Sequence, residues 1–242
     1  MHLLIDAGNS RLKWAWFDGK ALRGDAAADL AGLDAETLAG AWQAATAALY
    51  TCVAGDAVDA LIRTALPAGC AVRRVRASAS ECGITSLYDD PAQLGADRWV
   101  ALIGARGLLS GPLVVATAGT ATTVDALDAG SRFLGGYILP GVQLMLASLA
   151  RNTAALPLAS GQAAHWPRNT DDAIHNAAID AQAALIERIH DQLGGDAQVL
   201  LSGGAAALIS PRLRCAHRVA GNLVLQGLSR LALQNDGTNV VK

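Results

Sequence analysis

Apolar positions in this chain fall into short runs that end on small or polar residues. Leu3-Leu4-Ile5 has the length and bulk of a buried strand and runs into Asp6. Ala7-Gly8-Asn9-Ser10 then supplies small residues for a tight turn. Leu12 to Phe17 predicts a second strand, with Leu12, Trp14 and Trp16 on one face and Arg11, Lys13 and Ala15 on the other. From Gly19 to about Ala48 the chain is Ala-rich, with a helical pattern around Leu33, Leu38, Ala41, Trp42 and Ala45. Leu49 to Val53 predicts a strand, Val58 to Leu66 a short helix stopped by Pro67, and Val72 to Val75 a further strand. This alternation of strand and helix predicts an α/β layer architecture.

Farther on, Asp89-Asp90-Pro91 marks a helix start, and Gly95-Ala96-Asp97-Arg98 leads into the apolar helical segment Trp99 to Ile103. Leu113 to Val115 begins a strand that ends in Ala118-Gly119, followed by Thr120, Thr122 and Thr123 and a second strand closing on Asp125. Aligning Ala118-Gly119 on Ala7-Gly8 sets Thr117 opposite Asp6. A third variation, Val199 to Ala206, carries Ser202-Gly203-Gly204 into a helix. Between them lie a strand from Phe133 to Gly141, a helix from about Val142 to Arg151, and a helix from Asp172 to His190. The last of these is capped by Asn169-Thr170-Asp171 and ended by Gly194-Gly195. Leu223 to Leu233 reads as a final amphipathic helix. A strand-and-turn theme recurring one domain apart predicts two related α/β halves with a cleft between them, residues 1–112 and 113–242.

Composition narrows the choice of partners. A net charge of −2 leaves no broad basic field, which argues against nucleic acid. No apolar run approaches the ~18 residues of a membrane span, and no leader pattern precedes the first strand. Cys52, Cys70, Cys82 and Cys215 show no CxxC spacing, so reduced thiols are expected in place of disulfides or a zinc site. Together these features predict a cytoplasmic protein.

The candidate chemistry starts at the first hairpin. An acid, backbone N–H groups, hydroxyls and a lysine converge there, a set suited to a phosphate chain and its Mg²⁺. The plainer reading is a turn in which Asp6 only caps the chain. At Gly95-Ala96-Asp97-Arg98, an acid near a helix N-terminus is held ionised. Adjacent helical residues project ~100° apart, so Asp97 and Arg98 can address different parts of a substrate. A cap beside a surface arginine is the alternative. No GxxxxGK[ST] is present, which excludes a P-loop, and no GxGxxG opens a helix after a strand.

In order and spacing these segments resemble the type III pantothenate kinase family, within the acetate-kinase, sugar-kinase and actin-like ATPase superfamily. The resemblance rests on Asp6-Ala7-Gly8-Asn9-Ser10 with Lys13, on Gly95-Ala96-Asp97-Arg98, and on Gly119-Thr120-Ala121-Thr122-Thr123-Val124-Asp125. Gly135 to Gly141 and Thr153 to Pro157 also look like family segments, and the match runs from Met1 to about Leu233. It implies two actin-like ATPase (ribonuclease H-like) domains and ATP-dependent phosphorylation of pantothenate to 4'-phosphopantothenate, the first step towards coenzyme A. By the same resemblance Asp6, Ala7, Gly8, Asn9, Ser10, Arg11, Leu12 and Lys13 would hold the ATP phosphates, with Asp6 orienting Mg²⁺ through water. Gly119 and Thr120 would form the second phosphate turn, and the Gly203-Gly204 turn would approach the adenosine. Asp97 would accept the proton. Tyr88, Gly95, Ala96, Arg98 and Thr170 would bind pantothenate, Arg98 at its carboxylate.

The family also implies a homodimer with the substrate site near the interface. One position departs from its pattern: the second phosphate turn commonly has an Asp two residues before its Gly, a ligand for K⁺ or NH₄⁺, and here that residue is Thr117. A monovalent-cation site is therefore in question. The competing readings are a non-catalytic regulatory or accessory protein on the same scaffold, and a phosphohydrolase that attacks with water.

Overall fold

Leu3, Leu4, Ile5 and Ala7 are fully buried because β1 (His2–Ala7) is the central strand of a five-stranded sheet. β2 (Arg11–Phe17) and β3 (Leu22–Asp29) continue it as an antiparallel meander on one side. β4 (Ala47–Cys52) and β5 (Ala71–Arg74) lie parallel to it on the other, giving the order β3-β2-β1-β4-β5. The helices α1 (Ala35–Trp42) and α2 (Asp56–Ala65) contribute Leu38, Trp42 and Ile62 to a core with Leu3, Ile5, Leu12 and Tyr50. Trp14 and Trp16 pack on that core beside Leu12, as the alternation predicts. The computed structural model from which these features come describes residues 1–235.

After β5 come a short hairpin of β6 (Ser80–Glu81) and β7 (Ile84–Ser86), then α3 (Ala96–Leu108). α3 is buried from Arg98 to Ala105, which only a helix covered on several sides tolerates.

Residues 110–221 form a second unit. Its central strand is β8 (Leu113–Ala118). β9 (Ala121–Leu127) and β10 (Arg132–Pro140) make the antiparallel meander, and β11 (Gln198–Ser202) and β12 (His217–Val219) are the parallel strands. Within the unit the order β10-β9-β8-β11-β12 repeats that of the first sheet, strand for strand. α4 (Val142–Asn152), α5 (Thr170–Leu193) and α6 (Ala206–Ile209) complete it, with Ile179, Ile186, Val199 and Ile209 in its core. The two halves expected from the recurring turn are thus built on one topology.

Three expectations need correction. The expected boundary places the tail in the second half, within 113–242, but α7 (Leu223–Asn235) belongs to the first unit and crosses α3. The crossing is close because both helices carry glycine there. A Cβ on Gly227 would run into the Val100 carbonyl, and one on Gly104 into the Leu223 carbonyl. Second, the Ala-rich stretch after Gly19 contains β3, a strand exposed over most of its length and held by its backbone ladder to β2. Third, Asp90 opens a helix as expected, but a short one separate from α3. It caps a single 3-10 turn, Pro91–Gln93, by accepting from the Ala92 N–H, and α3 begins separately behind Gly95.

All four cysteines are free thiols. Among the described residues no helix is long and apolar enough to cross a membrane.

Candidate active site

Asp6 is held on both flanks by the sheet. Lys13 stands opposite it on β2 and Thr51 on β4. A central strand gives its side chains little solvent, and Asp6 is only 6% exposed. Two donors approach one of its oxygens, Oδ2: the Asn222 Nδ2 at 3.2 Å and the Lys13 Nζ at 3.8 Å. Burial pushes the Asp6 carboxyl above its ordinary value, Lys13 and Asn222 pull it back, the charge of Asp97 pushes it up again, and the Thr51 hydroxyl on the neighbouring strand draws it down. The fold thus brings Asp6, Lys13, Asp97 and Asn222 into one electrostatic neighbourhood.

The turn itself is shaped by its backbone. The Gly8 N–H donates to the Arg11 carbonyl at 3.1 Å, and the Leu30 N–H donates to the Ser10 carbonyl at 3.0 Å. Asn9 and Ser10 are exposed at its tip, while Ala7 and Leu12 are buried and offer only main-chain groups. Arg11 pairs with Asp29 on β3, Nε to Oδ1 at 3.1 Å, with both side chains largely exposed.

Gly95 precedes α3 for a steric reason. A Cβ there would lie 2.6 Å from the Asp97 Oδ1, so the carboxylate can fold back over the helix start only above a glycine. In that position it accepts from the Arg98 N–H at 2.9 Å. The half-buried Ala96 lies between them. The Arg98 side chain departs in another direction, as the ~100° step per residue requires. It is buried, donates from Nη1 to the Tyr88 hydroxyl at 3.0 Å, and its guanidinium carbon lies 5.7 Å from the centre of the Tyr88 ring. A guanidinium so oriented is suited to a planar anion such as a carboxylate.

The second unit repeats the turn. The Gly119 N–H donates to the Ala121 carbonyl at 3.0 Å, as Gly8 does to Arg11, and both Gly119 and Thr120 are exposed. Thr117 occupies the place of Asp6 and is half-buried opposite Thr123. Gly141 packs on this turn: its N–H donates to the Thr120 carbonyl at 2.9 Å, and a Cβ would meet the Gly119 carbonyl. Gln182 of α5 donates to the neighbouring Pro140 carbonyl at 2.9 Å. Gly203 has φ +99° and presses on the end of β8, where the Ala205 N–H reaches the Ala118 carbonyl at 3.1 Å. Thr170 is exposed at the first position of α5, behind the Asn169 cap.

Two residues escaped the sequence reading. Asn222 precedes an apolar helical run, so its capping role was legible, but its reach to Asp6 was not. Gln182 gives no local signal.

A repeated five-stranded topology, with a buried acid beside a lysine at the first hairpin and a second carboxylate at a helix start, defines a phosphotransferase of the actin-like ATPase class. Solved structures agree with the fold. A Campylobacter jejuni protein described as a Baf family transcriptional activator superposes with TM-score 0.62 at 17% identity, covering 97% of this chain and 99% of that one. MreB5 of Spiroplasma citri, bound to ADP, gives 0.53 at 10% identity and covers 98% of each chain. At such identities the likeness is one of fold alone.

The chain belongs to the type III pantothenate kinase family, whose model matches residues 2–192. It is 47% identical over 238 residues to the type III pantothenate kinase of Dechloromonas aromatica, covering 97% of this chain and 100% of that protein.

Proposed function

We propose that this enzyme transfers the γ-phosphoryl group of ATP to the primary hydroxyl of pantothenate, yielding 4'-phosphopantothenate and ADP. The observation that carries the reading is the Gly95–Arg98 segment, where a carboxylate folded over a helix start sits next to a buried guanidinium held by Tyr88. Arg98, with Tyr88, holds the pantothenate carboxylate. Asp97 orients the hydroxyl and takes its proton as the oxygen–phosphorus bond forms and the bond to the β-phosphate oxygen breaks. Gly95 and Ala96 belong to this substrate site, and Thr170 is a further pantothenate-binding residue.

Asn9, Ser10 and Lys13 of the first hairpin hold ATP phosphates, and Gly119 and Thr120 of the second turn are further phosphate-binding residues. Arg11 contributes less, because Asp29 engages it. The residues fit magnesium: Asp6 is one buried carboxylate, and no group of three potential metal ligands occurs among the described residues. That ion takes one or two carboxylates and keeps its waters and phosphate oxygens. When bound it offsets charge on the transferring phosphoryl group. At the position of a cation-binding Asp, Thr117 offers a neutral hydroxyl, which supports a weak K⁺ or NH₄⁺ site.

The active form is a homodimer. β10 and α4 expose Leu134, Tyr137, Ile138, Leu144 and Leu149, an apolar set suited to a second copy. Free thiols throughout accord with a reducing cytoplasm. The test is a coupled assay of ADP release with and without pantothenate. Turnover that depends on both substrates is expected, and equal rates in its absence would overturn the kinase reading.

A further inference from the structure

We infer that Asn222 is a positioning residue for the phosphoryl transfer, fixing the direction of the Asp6 carboxylate from the start of α7. The inference rests on the reading of Asp6 as the acid that faces hydrated magnesium and the ATP phosphates.

Chemistry alone orients the amide. Asn222 Oδ1 accepts from the Val224 and Leu225 N–H groups at 3.0 and 3.1 Å, and main-chain N–H groups can only donate. Nδ2 is therefore the group turned to Asp6 Oδ2, at 3.2 Å. One side chain performs two tasks: its oxygen caps the helix and its nitrogen holds the acid.

Asp6 needs such a partner. Its backbone is fixed by ladders to β2 and β4, which leaves side-chain rotation as its main freedom. Lys13 reaches the same Oδ2 only at 3.8 Å, too long for a hydrogen bond. Were the carboxylate to swing onto Lys13, the closed ion pair would neutralise two groups that the phosphates and the metal require. A neutral amide satisfies Oδ2 without adding charge.

The start of α7 is itself a fixed platform, because Gly104 and Gly227 lock the α3–α7 crossing with backbone close to backbone. The same crossing carries Asp97 at the start of α3. Both carboxylates are thereby referred to one rigid pair of helices.

Capping and positioning separate by substitution, since Asp and Ser cap as well as Asn. Asn222→Ser keeps the cap but cannot reach Asp6, and Asn222→Asp keeps the cap but turns an acceptor towards it. The full-length variants, with Asn222→Ala and Asp6→Asn, would be compared by thermal melting, by steady-state kinetics, and by calorimetric ADP binding with and without Mg²⁺. Asn222→Ser is expected to melt near the wild type while the Mg²⁺-dependent gain in ADP affinity and kcat each fall roughly tenfold, as for loss of a hydrogen bond to a charged group. The KM for pantothenate should stay unchanged, and Asn222→Asp should lose more than Asn222→Ser. If both capped variants bind and turn over like the wild type and only Asn222→Ala fails, Asn222 is a cap and the inference falls. If Asp6→Asn keeps wild-type Mg²⁺-dependent binding, the reading of Asp6 fails first and the inference with it.

Discussion

Replacing Gly227 by alanine tests whether the α3–α7 crossing is as tight as its geometry implies. Two effects of opposite sign compete. Alanine is the better helix former by about 1 kcal/mol. Against this, the added methyl meets the Val100 carbonyl, a main-chain group in the middle of a buried helix that cannot rotate away. Overpacking costs about 1–3 kcal/mol, and an immovable obstacle puts this site at the upper end. The expected net loss is about 2 kcal/mol, or roughly 4–8 °C in Tm for a chain of this size. Gly40→Ala in α1 is the control, since a Cβ there meets nothing within 4 Å. With propensity acting alone it should raise Tm by about 2–4 °C. Differential scanning fluorimetry on the three proteins, read beside kcat, is sufficient. Because the crossing carries Asp97 and Asn222, Gly227→Ala should also lower kcat/KM, whereas Gly40→Ala should not. A Gly227→Ala protein that melts at or above the wild type would refute the steric argument.

Other expectations follow from the site. Asp97→Asn should lower kcat by about 10²–10⁴, the range for a general base, with little change in ADP affinity by calorimetry; near-normal turnover would reduce Asp97 to a helix cap. Arg98→Ala should chiefly raise the KM for pantothenate, and Tyr88→Phe should raise it roughly tenfold through loss of one hydrogen bond to a charged group. An unaltered KM in both would remove them from the substrate site. Initial rates titrated with KCl, against NaCl at matched ionic strength, should show weak K⁺ dependence in the wild type and a gain of dependence in Thr117→Asp. Saturable, absolute K⁺ dependence in the wild type would show that neutral oxygens suffice at that turn.

The sequence declares what burial demands. Leu3 to Ile5 and Leu113 to Val115 are legible as strands because a central strand needs apolar residues on both faces. Leu12, Trp14 and Trp16 are legible because alternation matches the pleat. β3 leaves no such trace: its ladder to β2 is made of main-chain groups, and its exposed side chains are under no apolar constraint. α7 was legible as a helix but not as part of the first unit, because an apolar face does not say which neighbour covers it. At the site, Asp6, Lys13 and Asp97 stood out as chemistry at the ends of elements. The reason for Gly95, the Tyr88–Arg98 pairing and the Asp29 partner of Arg11 all depend on contacts that spacing alone does not encode. Asn222 is the extreme case, 216 residues from the acid it touches.

That separation bears on how the enzyme is made. A ribosome releases the chain from its N-terminus, so the contiguous stretch 110–221 is in hand before the first unit has received its last helix. Until then α3 lacks the cover that the buried Leu228, Leu231 and Ala232 provide, and Asp6 lacks its amide donor. A residue of the first strand is thus completed by one translated 216 residues after it. A copy cut short before Asn222 would carry every motif that marks the family, yet neither the helix pair nor the acid would be set. In this arrangement the setting of Asp6 records that translation has passed through α7.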